Sequence, residues 1–179
     1  MKRCAITKKE RIQFTMKQGI KKFITGLLVA AIIAAFAPQM SMAKSKTDCK
    51  SLCKIALKAT GGTSKLKYSS DSADDFGALS YSNRKLVKEI KYVFDEKEAV
   101  SLCVMKAGSS SDAKKLASAM KSYKKSNTSS DYLSDYSKTE QKMFKSAIYG
   151  RKGSYVWYIC MSTDKSVNKK GQSAIKKKL

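Results

Sequence analysis

The sequence predicts an α+β fold in two layers, with a small antiparallel sheet of about four strands packed against helices in the order α-β-β-α-α-β-β-α. Three observations carry that reading. Residues 99–107 and 154–162 alternate like strands, which puts Val100, Leu102 and Val104 on one face of the first and Tyr155, Trp157, Ile159 and Met161 on one face of the second. From about Asp112 to Lys125 the spacing becomes helical, with Ala113, Leu116, Ala117, Met120 and Tyr123 on one stripe. Gly150-Arg-Lys-Gly153 reads as a turn that folds its flanks into a hairpin.

Taken in order, residues 1–43 read as an export signal. A basic stretch ends in Lys21-Lys22, an uncharged run covers Phe23 to Phe36, and Ser41-Met-Ala43 supplies the small residues of a cleavage site. Met16 is the more ordinary start for such a leader. The alternative is an uncleaved signal that anchors the protein in the membrane, because Phe23 to Ala43 is 21 residues without a charge, and about 20 span a bilayer. Pro38, Gln39 and Ser41 dilute its last third and favour cleavage. No cysteine follows in a lipobox-like context, so a lipid anchor is unsupported.

Residues 44–84 are expected to hold an N-terminal helix and a polar linker, and 85–179 the α+β domain. In the helix, about 47–59, Cys49, Leu52, Cys53 and Ala56 share one face, Lys50, Lys54 and Lys58 another, and Gly61-Gly62 end it. Two strands, 89–94 and 99–107, flank the polar turn Asp95-Glu-Lys-Glu98. Gly108 and a serine cluster cap the helix at 112–125, and a second helix at about 131–143 offers Tyr132, Leu133, Tyr136 and Met143. Segments 145–149 and 154–162 form the hairpin, and a last helix, weakened by Gly171, ends in Lys176-Lys-Lys178. The bulky strand faces should pack on helices as the main core. The opposite faces, which carry Cys103, Tyr158 and Cys160, would form a thinner layer under the N-terminal helix.

Charge narrows the function classes. The chain has 37 Lys plus Arg, 14 Asp plus Glu and no histidine, for a formal net charge of +23. Without histidine there is no Ser-His-Asp or Cys-His triad, no histidine general base and no histidine metal ligand. The leader holds eight basic residues and one acidic residue, so residues 44–179 keep 29 and 13, or +16. Of those 29, only Arg84 and Arg151 are arginine. Lysine is a hydrated point charge without arginine's bidentate fork, so this coat suits loose attraction to polyanions and argues against specific nucleic-acid recognition. Outside a bacterial cell the nearest polyanions are wall polymers and lipid surfaces.

The run from Val104-Met-Lys-Ala107 through the helix bearing Lys115-Leu116 to the hairpin 148–159 and the helix start Ser162-Thr-Asp-Lys165 resembles an uncharacterised extracytoplasmic domain. That domain of unknown function occurs in secreted proteins and lipoproteins of Gram-positive bacteria. The resemblance covers roughly residues 75–178 and implies an extracytoplasmic location; it supplies no catalytic residues. The chain departs from the lipoprotein members in lacking the lipobox cysteine.

Cys49, Cys53, Cys103 and Cys160 are the sharpest chemical feature beyond the leader, which itself carries Cys4. An even set in an exported protein permits one or two disulfides, between the helix and the strand face or between Cys103 and Cys160. The alternative is four buried small apolar side chains. Cys49-Lys-Ser-Leu-Cys53 is not the C-x-x-C spacing of thiol oxidoreductases, and a zinc site would need all four thiolates. The pattern S-x-x-K recurs at nine positions, among them Ser51/Lys54 and Ser82/Lys85, in a segment of 24 Ser and 27 Lys where chance gives about five. Asp71, Asp74, Asp75 and Gly77 lack calcium-loop spacing, and Glu96 and Glu98 flank a turn. Tyr149, Arg151, Lys152 and Tyr158 form the one candidate binding set, aromatic rings beside basic groups that could stack on sugars or hold an anionic polymer. The expected function is therefore a non-catalytic exported binding or interaction module of the cell envelope, with no cofactor or metal. The alternative is an exported hydrolase using Ser/Lys or carboxylate chemistry.

Overall fold

Alternation along residues 87–107 and 148–160 gives a sheet whose two faces differ in chemistry, and the structure fixes which helices cover each. The computed structural model describes residues 47–62, 66, 68–95 and 99–179. The signal segment 1–43, with Cys4 and Met16, and the turn residues Glu96 and Glu98 lie outside the described residues. Strands β1 (Tyr68–Ser70), β2 (Val87–Asp95), β3 (Val100–Ala107), β4 (Ile148–Lys152) and β5 (Tyr155–Cys160) form one open antiparallel sheet in the order β1-β2-β3-β5-β4. The α+β class is as expected, with five strands instead of about four. The added strand, β1, lies in the segment expected to be a polar linker, where only Tyr68 offers a strand-forming side chain.

Register confirms the parity of the strands. Leu102 lies opposite Ile159 and Val104 opposite Trp157, so the bulky residues share one face. Cys103 opposite Tyr158, with Ser101 opposite Cys160, defines the other. The helices are α1 (Cys49–Thr60), α2 (Tyr81–Arg84), α3 (Ser110–Asn127), α4 (Ser130–Leu133), α5 (Lys138–Ser146) and α6 (Lys165–Lys178), with a 3-10 turn at Ala73–Asp75.

Helices cover both faces, which corrects the two-layer expectation. On the bulky face α1 and α6 pack side by side, and Gly171 makes their approach possible. A Cβ there would sit 2.9 Å from Thr60 Cγ2 and 3.4 Å from Ile159 Cδ1. The glycine that weakens α6 as an isolated helix thus lets it close on α1 and the sheet. On the other face Tyr158 meets Phe76 and Tyr123 of α3, with ring centroids 6.5 and 5.2 Å apart. Helix α1 was expected on this face; α3 and Phe76 occupy it instead.

Local chemistry sets the ends of the elements. Asp48 caps α1 by accepting from the Ser51 N–H at 2.5 Å, and Gly61, at φ +71°, closes it in the left-handed region. The helix expected at 131–143 is broken in two, because Ser137 and Glu140 form a capping box that starts α5 afresh. Tyr132 and Tyr136 stack across the break, 4.9 Å between centroids, and both meet Phe144 edge-on. Lys145, expected in a strand, ends up in α5. The hairpin turn is Gly153-Ser154, with Gly153 at φ +56°, not the whole of Gly150–Gly153. Gly150 belongs to β4 and lies beneath Trp157, where a Cβ would stand 2.8 to 2.9 Å from three indole atoms.

One buried polar side chain ties three elements together. Asn168 of α6 is fully buried; its Oδ1 accepts from the Met161 N–H at 2.9 Å, and its Nδ2 donates to Ser146 O, Ser146 Oγ and Ser162 O at 3.0 to 3.1 Å. It joins the end of α5, the end of β5 and the start of α6. Lys46–Leu179 make one unit whose apolar core runs from Cys49 to Ile175, so α1 belongs to the same core as the strands. Among the described residues no helix is long and apolar enough to cross a membrane.

Candidate functional site

The four cysteines are brought into the core but not to one place. Cys49 and Cys53 lie on the inner side of α1, against the bulky face of the sheet, while Cys103 and Cys160 lie on the opposite face under α3. All four are free thiols and all are buried. The sheet separates the two pairs. Within the second pair Cys160 stands opposite Ser101, not Cys103, and a diagonal neighbour lies about 7–8 Å away, beyond ordinary disulfide reach. Burial pushes every thiol up: Cys53 and Cys160 to about 12, Cys49 and Cys103 also well above the ordinary range. A thiol buried and held protonated in this way is a poor nucleophile at neutral pH. Among the described residues no group of three or more Cys, Asp or Glu side chains could hold a metal ion.

The candidate aromatic and basic set is split. Tyr149, Arg151 and Tyr158 project from one face of the β4–β5 hairpin, and Lys152 from the other. Tyr158 is 1% exposed, so it is core and cannot offer a ring to a ligand. Its hydroxyl is buried beside the Asn127 side chain, and burial drives it far above its usual range. Tyr149 is half-buried, while Arg151 and Lys152 are exposed. The Lys152 ammonium donates to Lys176 O at 2.9 Å, across to α6.

Serine and lysine are not assembled into a dyad. Among the described residues the hydrogen-bonded lysine ammonium groups of Lys124 and Lys152 donate to backbone carbonyls, of Ala147 and Lys176. Serine hydroxyls serve as helix caps and turn contacts, as at Ser80, Ser109, Ser129 and Ser137.

What the fold does assemble is charge. Helices α1 and α6, packed together on one face, carry nine lysines and no acidic residue: Lys50, Lys54 and Lys58 on the first, and Lys165, Lys169, Lys170 and Lys176–Lys178 on the second. All nine are exposed. Among the described residues the ion pairs are Arg84–Asp74, Lys91–Asp71 and Lys115–Asp112, so none of the nine is neutralised in one. The opposite layer mixes signs: α3 and α5 with their connection, residues 108–147, carry eight lysines and four acidic side chains. No family model, curated protein or solved structure matches the chain.

Sequence spacing placed the lysines of α1 on one face but could not show that α6 would lie beside it. It also missed an aromatic ladder at the β1–β2 edge. Tyr68, 52% exposed, stacks on Phe94 at 5.3 Å, and Phe94 on Tyr92 at 4.7 Å. The signal was the shared parity of Tyr92 and Phe94 on β2.

Proposed function

We propose that the chain is a non-catalytic exported module of the bacterial envelope that holds to polyanions through the lysine layer of α1 and α6. The observation that carries this reading is the segregation of nine exposed lysines, without one carboxylate, onto two helices packed on the same face. The packed helices set the stems of these lysines side by side, so a polyanion laid across them meets several ammonium groups at once. The leader pattern and the resemblance to extracytoplasmic domains of Gram-positive bacteria support the envelope location. The protonated, buried thiols and the absence of a serine–lysine contact among the described residues favour binding over chemistry. Lysine in place of arginine favours loose retention over recognition of one sequence or sugar. Binding to purified wall polymer across a salt series tests the proposal. Retention at low salt that fades as salt rises is expected; no retention at low salt, or retention indifferent to salt, refutes it.

A further inference from the structure

We infer that Tyr132 and Tyr136 form an oxidative cross-linking site, where a haem peroxidase acting with hydrogen peroxide joins the two rings by a carbon–carbon bond. The site stands apart from the charged layer and uses side chains that the polyanion reading leaves idle. The two rings lie across the break between α4 and α5, stacked with centroids 4.9 Å apart and planes inclined by 29°. The Tyr136 hydroxyl donates to that of Tyr132 at 2.9 Å. The oxygens are closer than the ring centres, so the rings converge towards their hydroxyl ends. The ortho carbons, next to the C–O bonds, share that close end, and these are the carbons at which two phenoxyl radicals couple.

Local structure holds both rings in place. Tyr132 sits in α4, where its N–H donates to the Ser129 hydroxyl at 3.4 Å. The Tyr136 N–H reaches Leu133 O at 3.2 Å, and its carbonyl accepts from Gln141 Nε2 at 3.0 Å. Phe144 meets both rings edge-on, at 5.7 and 5.0 Å. Both tyrosines are half-buried, which leaves part of each ring open to an oxidant at the surface. A second tyrosine pair, Tyr123 and Tyr158, meets edge-on at 68°, and Tyr158 is core. Tyr68 and Tyr81 are exposed, but their neighbours are Phe94 and the Lys85 ammonium, so a cross-link there needs a second molecule.

Each phenol loses one electron and one proton to become a phenoxyl radical. Burial, with the Tyr136 hydroxyl beside it, pushes the Tyr132 phenol above its ordinary range, so at neutral pH its proton leaves with the electron and not before it. If Tyr132 is oxidised first, the Tyr136 O–H passes its hydrogen atom across the hydroxyl contact, and the pair shares one radical. After the second oxidation the two ortho carbons bond, and the hydrogen on each moves to its oxygen to restore the phenol. Two hydrogens are lost in all; one hydrogen peroxide takes them up, its O–O bond breaking to give two waters. The new bond staples α4 to the connection that leads into α5. Coupling within the molecule wins over coupling between molecules because the partners are already oriented, and because the net positive charge of the chain keeps copies apart.

The test treats the full chain with a haem peroxidase and hydrogen peroxide, then digests it with trypsin for mass spectrometry. Trypsin cuts after Lys125 and Lys138, so both tyrosines fall in one peptide, residues 126–138. That peptide should become two hydrogens lighter and resist fragmentation between Tyr132 and Tyr136, in protein that stays monomeric. The yield should not change when the protein is diluted about tenfold, as expected of an intramolecular step. Tyr132→Phe and Tyr136→Phe keep the rings but lack the hydroxyl, so each should abolish the mass loss, while Tyr81→Phe should leave it intact. An unchanged peptide, a gain of oxygen in place of the loss, or cross-linked dimers through Tyr68 or Tyr81 in its stead overturns the site. A loss that survives either of the first two variants, or that fades on dilution, overturns it as well.

Discussion

Replacing Asn168 by alanine should cost more stability than any surface change, because of what the side chain leaves behind. The residue is fully buried and makes four hydrogen bonds. Ser162 O keeps a bond from Ser146 Oγ, but the Met161 N–H and Ser146 O lose their side-chain partner. Each stranded polar group costs about 1–3 kcal/mol, so Asn168→Ala should lose about 4 kcal/mol. That is a large share of the 5–15 kcal/mol typical of a domain, and amounts to roughly 15 °C in Tm. Asn168→Asp adds a signature that a packing defect cannot give. Its second oxygen would face Ser146 O and Ser162 O, so the folded carboxyl pKa must rise above the unfolded value near 4. A raised folded pKa means stability that is complete below the unfolded value and lost as pH climbs through the folded one. Denaturant melts from pH 7 down to 4 should show Asn168→Asp recovering towards wild type, while Asn168→Ala keeps a constant deficit. A loss below about 1 kcal/mol for alanine, or parallel pH curves for the two variants, would refute the reasoning.

Four further outcomes follow from the same packing. Gly150→Ala should destabilise by about 1–3 kcal/mol, because the new Cβ meets the fully buried Trp157 ring, which has nowhere to move. Gly171→Ala should cost less, since the gain in helix propensity, about 1 kcal/mol, offsets part of the contact with Thr60; urea melts of the two variants give the order. Native protein at pH 8 should show no fast reaction of Cys49, Cys53, Cys103 or Cys160 with a thiol reagent, and all four should react on unfolding. The thiol of Cys160, raised to about 12, keeps its proton in the fold while the unfolded chain loses it near 9, so its contribution disappears as pH rises. The stability difference between wild type and Cys160→Ala should therefore shift against wild type by about 1.4 kcal/mol per unit above pH 9.

Strand parity and helix stripes were legible because they depend on period alone. Val100, Leu102 and Val104 share a face, and Ala113, Leu116 and Met120 line α3, as their spacing requires. Which helix covers which face was not legible, because it depends on contacts between residues far apart in sequence. Gly171 looked like a weak point in α6, and only its neighbours Thr60 and Ile159 reveal why it is there. The same holds for Phe76 and Leu79, core residues inside a segment that reads as polar. Tyr158 looked available to a ligand because parity set it on the less bulky face; the arrival of Phe76 and Tyr123 buries it. The lysines of α1 and α6 could be counted in the sequence, but their meeting on one surface is tertiary.

The central claim is that this surface holds polyanions by charge. Its most direct test is the slope of log affinity for purified wall polymer against log salt concentration. Neutralising three or more anionic groups predicts a slope steeper than about −2, flattened when lysines of α1 and α6 are changed to glutamine. A flat line, or a slope unaffected by those changes, would contradict it.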